Sequence, residues 1–211
     1  MNSFFYKVNE EEYLVNITHK RVKNIHYRFK NNQFYVSCSL LTPKYMIEKG
    51  LDRFGEKLIK ASTKPSPIGD DFIYLFGEKY PIGEKGTLRI SNYPEIKYKS
   101  REDLLKKLRP IFKEILKERV KYYESLMKLP SYNVTVRKMT SRYGSNSKRT
   151  KTLCFALVLI HHSMPIIDSV VVHELAHIKV FNHSKQFYDV VYQYCPNYKE
   201  CHTKLRKGEF K

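Results

Sequence analysis

The sequence predicts an α+β protein: a β-rich N-terminal region over residues 1–99, a long helix, and a C-terminal region, 100–211, built round a helix with an H-E-x-x-H run. Three observations lead there. Residues 13–38 alternate apolar and polar side chains in short runs, as strands with one buried face do. Residues 100–129 repeat apolar side chains at three- and four-residue intervals, the period of a helix. Residues 164–195 hold another helical pattern with no breaker before Asn182. Apolar residues are 42% of the 211, enough for a hydrophobic core, and the two regions are expected to form one continuous globular unit.

In the first region Tyr13–Ile17, Ile25–Phe29 and Phe34–Cys38 read as strands. Asn31 and Asn32 tolerate the positive φ of a tight turn, so a hairpin is expected there. Thr42 and Pro43 read as the N-cap and first residue of a helix that turns Met46, Ile47, Leu51, Phe54 and Leu58 inward. Lys64–Gly69, with two prolines, reads as a loop. Phe72–Phe76 and Tyr80–Ile82 predict a second hairpin, and Leu88–Ile90 a further strand. The long helix carries Leu104, Leu108, Phe112, Ile115, Leu116, Val120 and Tyr123 on one face, which reads as core. Pro110 lacks the amide hydrogen, so a kink or a restart is expected there. Beyond Pro130, Val134–Val136 is a short strand, Ser141–Ser145 a polar loop and Leu153–Ile160 a nearly continuous apolar strand.

Composition narrows the classes of function. No run is long enough to span a bilayer, and Met1–Tyr13 has acidic residues where a secretion signal would be apolar. The four cysteines form no C-x-x-C pair, and Cys38 and Cys154 sit in apolar runs as buried thiols would. A cytoplasmic protein with no membrane partner is the expectation. The net charge of +18 suits a polyanionic partner and so weak nucleic-acid binding through a basic surface. Lys and Arg are spread along the whole chain, however, which is equally the pattern of a solvated surface without specific purpose.

The chemistry lies in residues 164–195. Pro165 near the start and Asp168 in about the first turn argue for one helix. His173 and His177, four residues apart, then project from one face and can converge on one ion. Glu174 beside them is placed as the general base of the H-E-x-x-H arrangement. Zinc accepts imidazole nitrogen; a catalytic site takes three protein ligands, and the ion brings the pKa of a bound water toward ~7 for a nearby carboxylate to deprotonate. His183 supplies the third ligand if the helix continues through Val180 and turns at Asn182, whose residue type readily adopts the left-handed conformation. Ser184 would then cap a second helix with Phe187, Val190, Val191 and Tyr194. Metzincins share this spacing but carry Gly where this chain has Val180, so a different class of zincin is indicated. His161 and His162 read as groups that support the metal ligands or face the substrate, or else as ordinary loop histidines. Cys201 with His202 lacks the partners of a second metal site.

The stretch VVVHELAHIKVFNHSKQFYDVV resembles the YgjP-like metallopeptidase family, marked by H-E-L-[AC]-H followed by N-H-S and an aromatic residue. Residues 137–145 are similar to that family's R-x-M-K-S-R-W-G-S-C element, with Tyr143 for its Trp and, one position beyond, Asn146 for its Cys. The order of strands, long helix, loop and metal helix fits as well. The resemblance implies a zincin-like fold in which residues 141–144 lie near the active site, with Arg142 and Tyr143 as substrate-binding candidates. Arg142 would meet an anionic or oxyanionic group, or else form a structural salt bridge.

The expectation is a metal-dependent hydrolase, first a zinc metallopeptidase using a metal-bound water activated by Glu174, with metal ligands His173, His177 and His183. Nickel, cobalt or manganese would also accept imidazole ligands. An extended peptide substrate would lie beside an edge strand, taken to be Leu153–Ile160. The alternatives are a nucleotide phosphohydrolase (pyrophosphatase) using the same site, an activity associated with the YgjP-like group, and a nucleic-acid-tethered protease like the related SprT-like proteins.

Overall fold

Alternation of apolar residues builds the N-terminal strands into one four-stranded sheet. In the computed structural model, which describes every residue except Met1, Asn2, Lys64 and Asn92, these are β1 (Ser3–Val8), β2 (Glu11–His19), β3 (His26–Lys30) and β4 (Gln33–Cys38). Their order is β1-β2-β4-β3, with β2 and β4 parallel and the outer pairs antiparallel. Asn31 and Asn32 both take positive φ, 50° and 57°, and close the expected hairpin; Asn9 and Glu10 do the same between β1 and β2. Helix α1 (Lys44–Ser62) covers one face, with Ile47, Leu51 and Gly55 buried against Val15, Phe34 and Val36. Met46 and Phe54, expected to point inward, are instead 46% and 39% exposed, because the four-residue spacing of the buried trio leaves them on its flanks. Pro43 occupies the N-cap and Thr42 precedes it, with no side-chain cap bond.

The chain divides into two compact units, Met1–Lys64 and Pro65–Lys211. Lys64, the first residue of the expected loop, lies outside the described residues. The second unit opens with the hairpin β5 (Phe72–Leu75) and β6 (Glu78–Pro81), followed by the pair β7 (Gly86–Leu88) and β8 (Ile96–Tyr98). Strands β5–β8, read from sequence with the N-terminal region, bury Ile73, Leu75, Leu88 and Ile96 in one core with Leu104, Leu108 and Phe112.

Helix α2 (Arg101–Met127) starts where Ser100 Oγ accepts from the Asp103 amide, 3.2 Å away. It runs past Pro110 without a restart, since burial of its apolar stripe on both sides offsets the missing hydrogen bond. Arg119 grips Asp168 with two hydrogen bonds of 2.7 and 2.6 Å, tying α2 to the helix that bears the site.

Strands β9 (Asn133–Arg137), β10 (Gly144–Ser147) and β11 (Thr152–Ala156) form a sheet of order β10-β11-β9. The apolar run expected as one strand over Leu153–Ile160 splits into β11 and a 3₁₀ turn (Leu157–His161). An unbroken apolar run carries no period to distinguish the two. The last two residues of the expected polar loop, Gly144 and Ser145, belong to strand β10, paired through its backbone. Helices α3 (Met164–Lys179), α4 (Lys185–Tyr194) and α5 (Tyr198–Lys207) complete the unit. No helix among the described residues is long and apolar enough to cross a membrane. Cys38 is buried as expected, while Cys154 is half-buried; neither is bonded to another cysteine.

His161 and His162 are core struts of this unit. Their Nδ1–H groups donate to Tyr74 O at 2.6 Å and Glu209 O at 2.8 Å. Burial pushes His161 down to about 4 against the pull of its carbonyl partner, so the folded protein holds it neutral. Between that value and the unfolded ~6.5, the unfolded chain takes up a proton that the folded chain refuses. The stability this group contributes is complete above about pH 6.5 and is lost as pH falls toward 4, a decline of about 2–3 kcal/mol. Denaturant midpoints of chelator-treated protein across this window are expected to fall less steeply for His161→Asn than for the parent; equal slopes would refute the assignment.

Candidate metal centre

Helix α3 is apolar on most of its circumference: Ile167, Val171, Val172, Leu175 and Ala176 are fully buried. The remaining face carries His173 and His177, one turn apart. The helix ends at Lys179, short of the end expected from sequence: Val180 is extended (φ −130°, ψ 113°). The chain bends at Asn182, as expected, but without the positive φ of a left-handed turn. Ser184 occupies the N-cap of α4 without a side-chain cap bond. The reversal brings His183 back over α3.

Each of the three histidines offers a ring nitrogen, and these atoms lie within 4.8 Å of one another; they form the one such group among the described residues. His183 Nε2 stands 3.2 Å from His173 Nε2. Two imidazoles on one tetrahedral ion, with bonds of ~2.0 Å, hold their nitrogens about 3.3 Å apart, so the donor set fits a cation. Phe187, fully buried, packs on all three rings at centroid distances of 4.9, 4.6 and 4.8 Å. Burial, with the neighbouring rings of His177 and His183, pushes His173 down to about 3, and burial with the ring of His183 lowers His177. Neutral rings are the form that binds a cation.

Glu174 lines a cavity of about 180 Å³ whose walls also include Arg142, Tyr143, His173, Tyr198 and His202. Burial raises its carboxyl to about 7, against the opposing pull of the Arg142 guanidinium. The carboxylate fits because residue 144 is glycine: a Cβ there would sit 2.4 Å from Glu174 Oε1. Asn146 Nδ2 donates to the Glu174 carbonyl at 2.8 Å and fastens β10 to α3. Cysteine, which the family's element carries at this place, has no amide to make that bond.

Arg142 is exposed and has no ion-pair partner among the described residues, so it is not the structural salt bridge that was one reading of it. Tyr143 is half-buried and its hydroxyl donates to Leu205 O at 3.2 Å; it walls the cavity with its ring. Tyr198 is the residue that sequence reasoning missed. Its hydroxyl lies 2.9 Å from His173 Nδ1, and its ring stacks on His202. It enters from the first position of α5, outside any motif, so only the packing of α5 against α3 discloses it. His202 therefore serves as a wall of this cavity, and Cys201 is buried in the core beside it.

A core-bearing unit with an H-E-x-x-H helix and a converging third histidine defines the class of metal-dependent hydrolases. The family model "YgjP-like, metallopeptidase domain" matches residues 13–208, and the chain belongs to that family. It is thus a metal-dependent peptidase whose family implies a metal ion and a peptide substrate. No curated protein matches the chain. Among solved structures it is similar to the metallopeptidase zymogen jannalysin of Methanocaldococcus jannaschii, at 22% identity and a TM-score of 0.41, covering 44% of this chain and 94% of that one. It is also similar to the zymogen abylysin of Pyrococcus abyssi, at 18% identity and a TM-score of 0.41, covering 43% of this chain and 90% of that one.

Proposed function

We propose that this peptidase uses zinc held by His173, His177 and His183, with Glu174 as general base. The observation that carries the reading is the pair of geometries on one helix. Three imidazole nitrogens converge, and the carboxylate next to the first of them is buried in the adjoining cavity. The ion, when bound, would polarise the scissile carbonyl and acidify the attacking water. Glu174 accepts the water proton and returns it to the leaving amine; its raised proton affinity matches that double role. Arg142, exposed at the cavity mouth, meets the substrate's oxyanionic or carboxylate groups.

The strand that would receive an extended substrate differs from the one expected. β11 lies between β10 and β9 and has no free edge, whereas β10 is an outer strand packed on α3. Ala156 N donates to Tyr143 O at 2.8 Å, which makes that pair a hydrogen-bonded one. Alternation along an antiparallel ladder then turns the N–H and C=O of Gly144 and Asn146 outward, beside Glu174. A peptide adding to β10 would find those groups unpaired.

Tyr198 positions His173. With Nε2 given to the ion, Nδ1 of a neutral imidazole carries the proton and donates to the Tyr198 hydroxyl, which fixes tautomer and ring orientation. Tyr198→Phe is expected to weaken metal affinity by about 10–100-fold, read by competition with a chromogenic chelator. Unchanged affinity would assign Tyr198 to packing alone.

The cavity, at about 180 Å³, is smaller than the ~300–1,000 Å³ of sites that enclose drug-sized ligands. That favours a peptide side chain over an enclosed nucleoside triphosphate. Incubating zinc-loaded protein with a peptide library and with a panel of nucleoside triphosphates separates the two, with Glu174→Gln as the blank. Glu174-dependent cleavage of peptides supports the proposal, and Glu174-dependent release of phosphate or pyrophosphate alone overturns it.

A further inference from the structure

The N-terminal unit carries a surface with a chemistry of its own. Alternation along β1–β4 sends Val8, Tyr13, Val15, Phe34 and Val36 toward the α1 side and leaves the opposite face of the sheet in water. On that open face Arg28 stands across from Tyr35, His26 from Ser37 and Lys30 from Gln33. Asn16 flanks Tyr35 from the other neighbouring strand. A shallow groove of about 630 Å³ crosses the strands, lined by Thr18, Lys20, His26, Arg28, Lys30 and Tyr35 among others. Tyr35 is 41% exposed.

Carboxylates are missing from this groove for a reason visible in the chain. From Tyr13 to Ile47 the sequence has six Lys or Arg and no Asp or Glu. The acids of this unit that follow, Glu48, Asp52 and Glu56, lie on α1, where they bond Lys44, Tyr6 and Lys60. Lys20, Arg28 and Lys30 have no ion-pair partner among the described residues. An ordinary solvated surface interleaves both signs; this groove presents cations round an aromatic ring, and Glu12 of the same sheet face stands outside it, across from Lys7 on β1.

We propose that this groove binds single-stranded nucleic acid, with phosphates on Lys20, Arg28 and Lys30 and a base stacked on Tyr35. Unpaired cations along a groove track a phosphate backbone, and an exposed ring between them takes any unstacked base. Thr18 and Ser37, which line the groove, offer hydrogen bonds to base edges beside the ring. A duplex has no free base for Tyr35. An anionic membrane would call for protruding apolar side chains among the cations; Val22 is the apolar residue of the groove, and the exposed Phe5 lies on β1, across from Leu14 and outside the groove. The inference does not rest on the metal centre.

The test is fluorescence anisotropy of the full chain with labelled oligouridylate and oligothymidylate, a duplex of equal length, and phosphatidylserine vesicles as competitor. Single strands are expected to bind, with log affinity falling linearly against log salt. Arg28→Glu with Lys30→Glu should lower affinity at least tenfold and flatten the slope by about 1.4, at roughly 0.7 per lost phosphate contact. Tyr35→Ala should lower it about 5- to 100-fold. Lys49→Glu with Lys57→Glu, the same change of charge on exposed positions of α1, should stay within about threefold of the parent. Absence of single-strand binding, equal losses in the two charge-reversed pairs, or preference for duplex or vesicles would each overturn the proposal. Should the Arg28 and Lys30 pair fail to fold by circular dichroism, Tyr35→Ala decides alone.

Discussion

Glu174→Gln is expected to reduce peptide hydrolysis by about 10²–10⁴-fold while leaving metal content unchanged. The amide has the shape of the carboxylate, so it enters the same space beside Gly144 without a new contact. What it loses is the capacity to accept a proton and pass it on. The three histidines are untouched, and Asn146 still holds residue 174 through its backbone carbonyl. Turnover at the parent rate in metal-loaded Glu174→Gln would remove this residue from the general-base role. Loss of metal together with turnover would mean that the carboxylate serves the ion instead.

His183→Ala is expected to abolish tight metal binding. Two imidazoles on consecutive turns of α3 leave the ion without the third protein ligand that catalytic zinc sites have. His183 is also the ligand held least firmly by the fold, since it is exposed and comes from the segment between α3 and α4 rather than from a helix. Its removal should therefore leave α3, buried on its apolar face, intact. Metal analysis after dialysis is expected to show loss of the ion with an unchanged circular dichroism spectrum. Full occupancy in this variant would place the third ligand elsewhere.

The parts of this site legible in the sequence are those set by local spacing. His173 and His177 share a face because a helix repeats every 3.6 residues, and a helix there follows from Pro165 and the absence of breakers. His183 comes to the other two histidines through a bend at Asn182, the residue where a turn is expected, but the helix ends earlier, at Lys179, and Asn182 is not left-handed. Gly144 sits in a stretch whose polar composition reads as loop, with Asn146 just beyond it, and both become strand only because β11 offers them a ladder. The central place of β11, which moves the free edge to β10, depends on a parallel pairing with β9 that no local pattern encodes. Tyr198 is further still from local rules: it meets His173 across 25 residues through the packing of α5 on α3. In the N-terminal unit the hairpin at Asn31 and Asn32 was legible because residue type dictates φ there. The inward face of α1 was legible only in part, since Met46 and Phe54 are apolar yet flank the buried stripe.

X-ray absorption at the zinc edge of the loaded protein reads the ligand set itself. Scattering from three imidazole nitrogens and one oxygen at about 2.0–2.1 Å is expected, reduced to two imidazoles in any zinc that His183→Ala retains. Sulfur bound to the zinc, or a parent spectrum with fewer than three imidazoles, would contradict the three-histidine site.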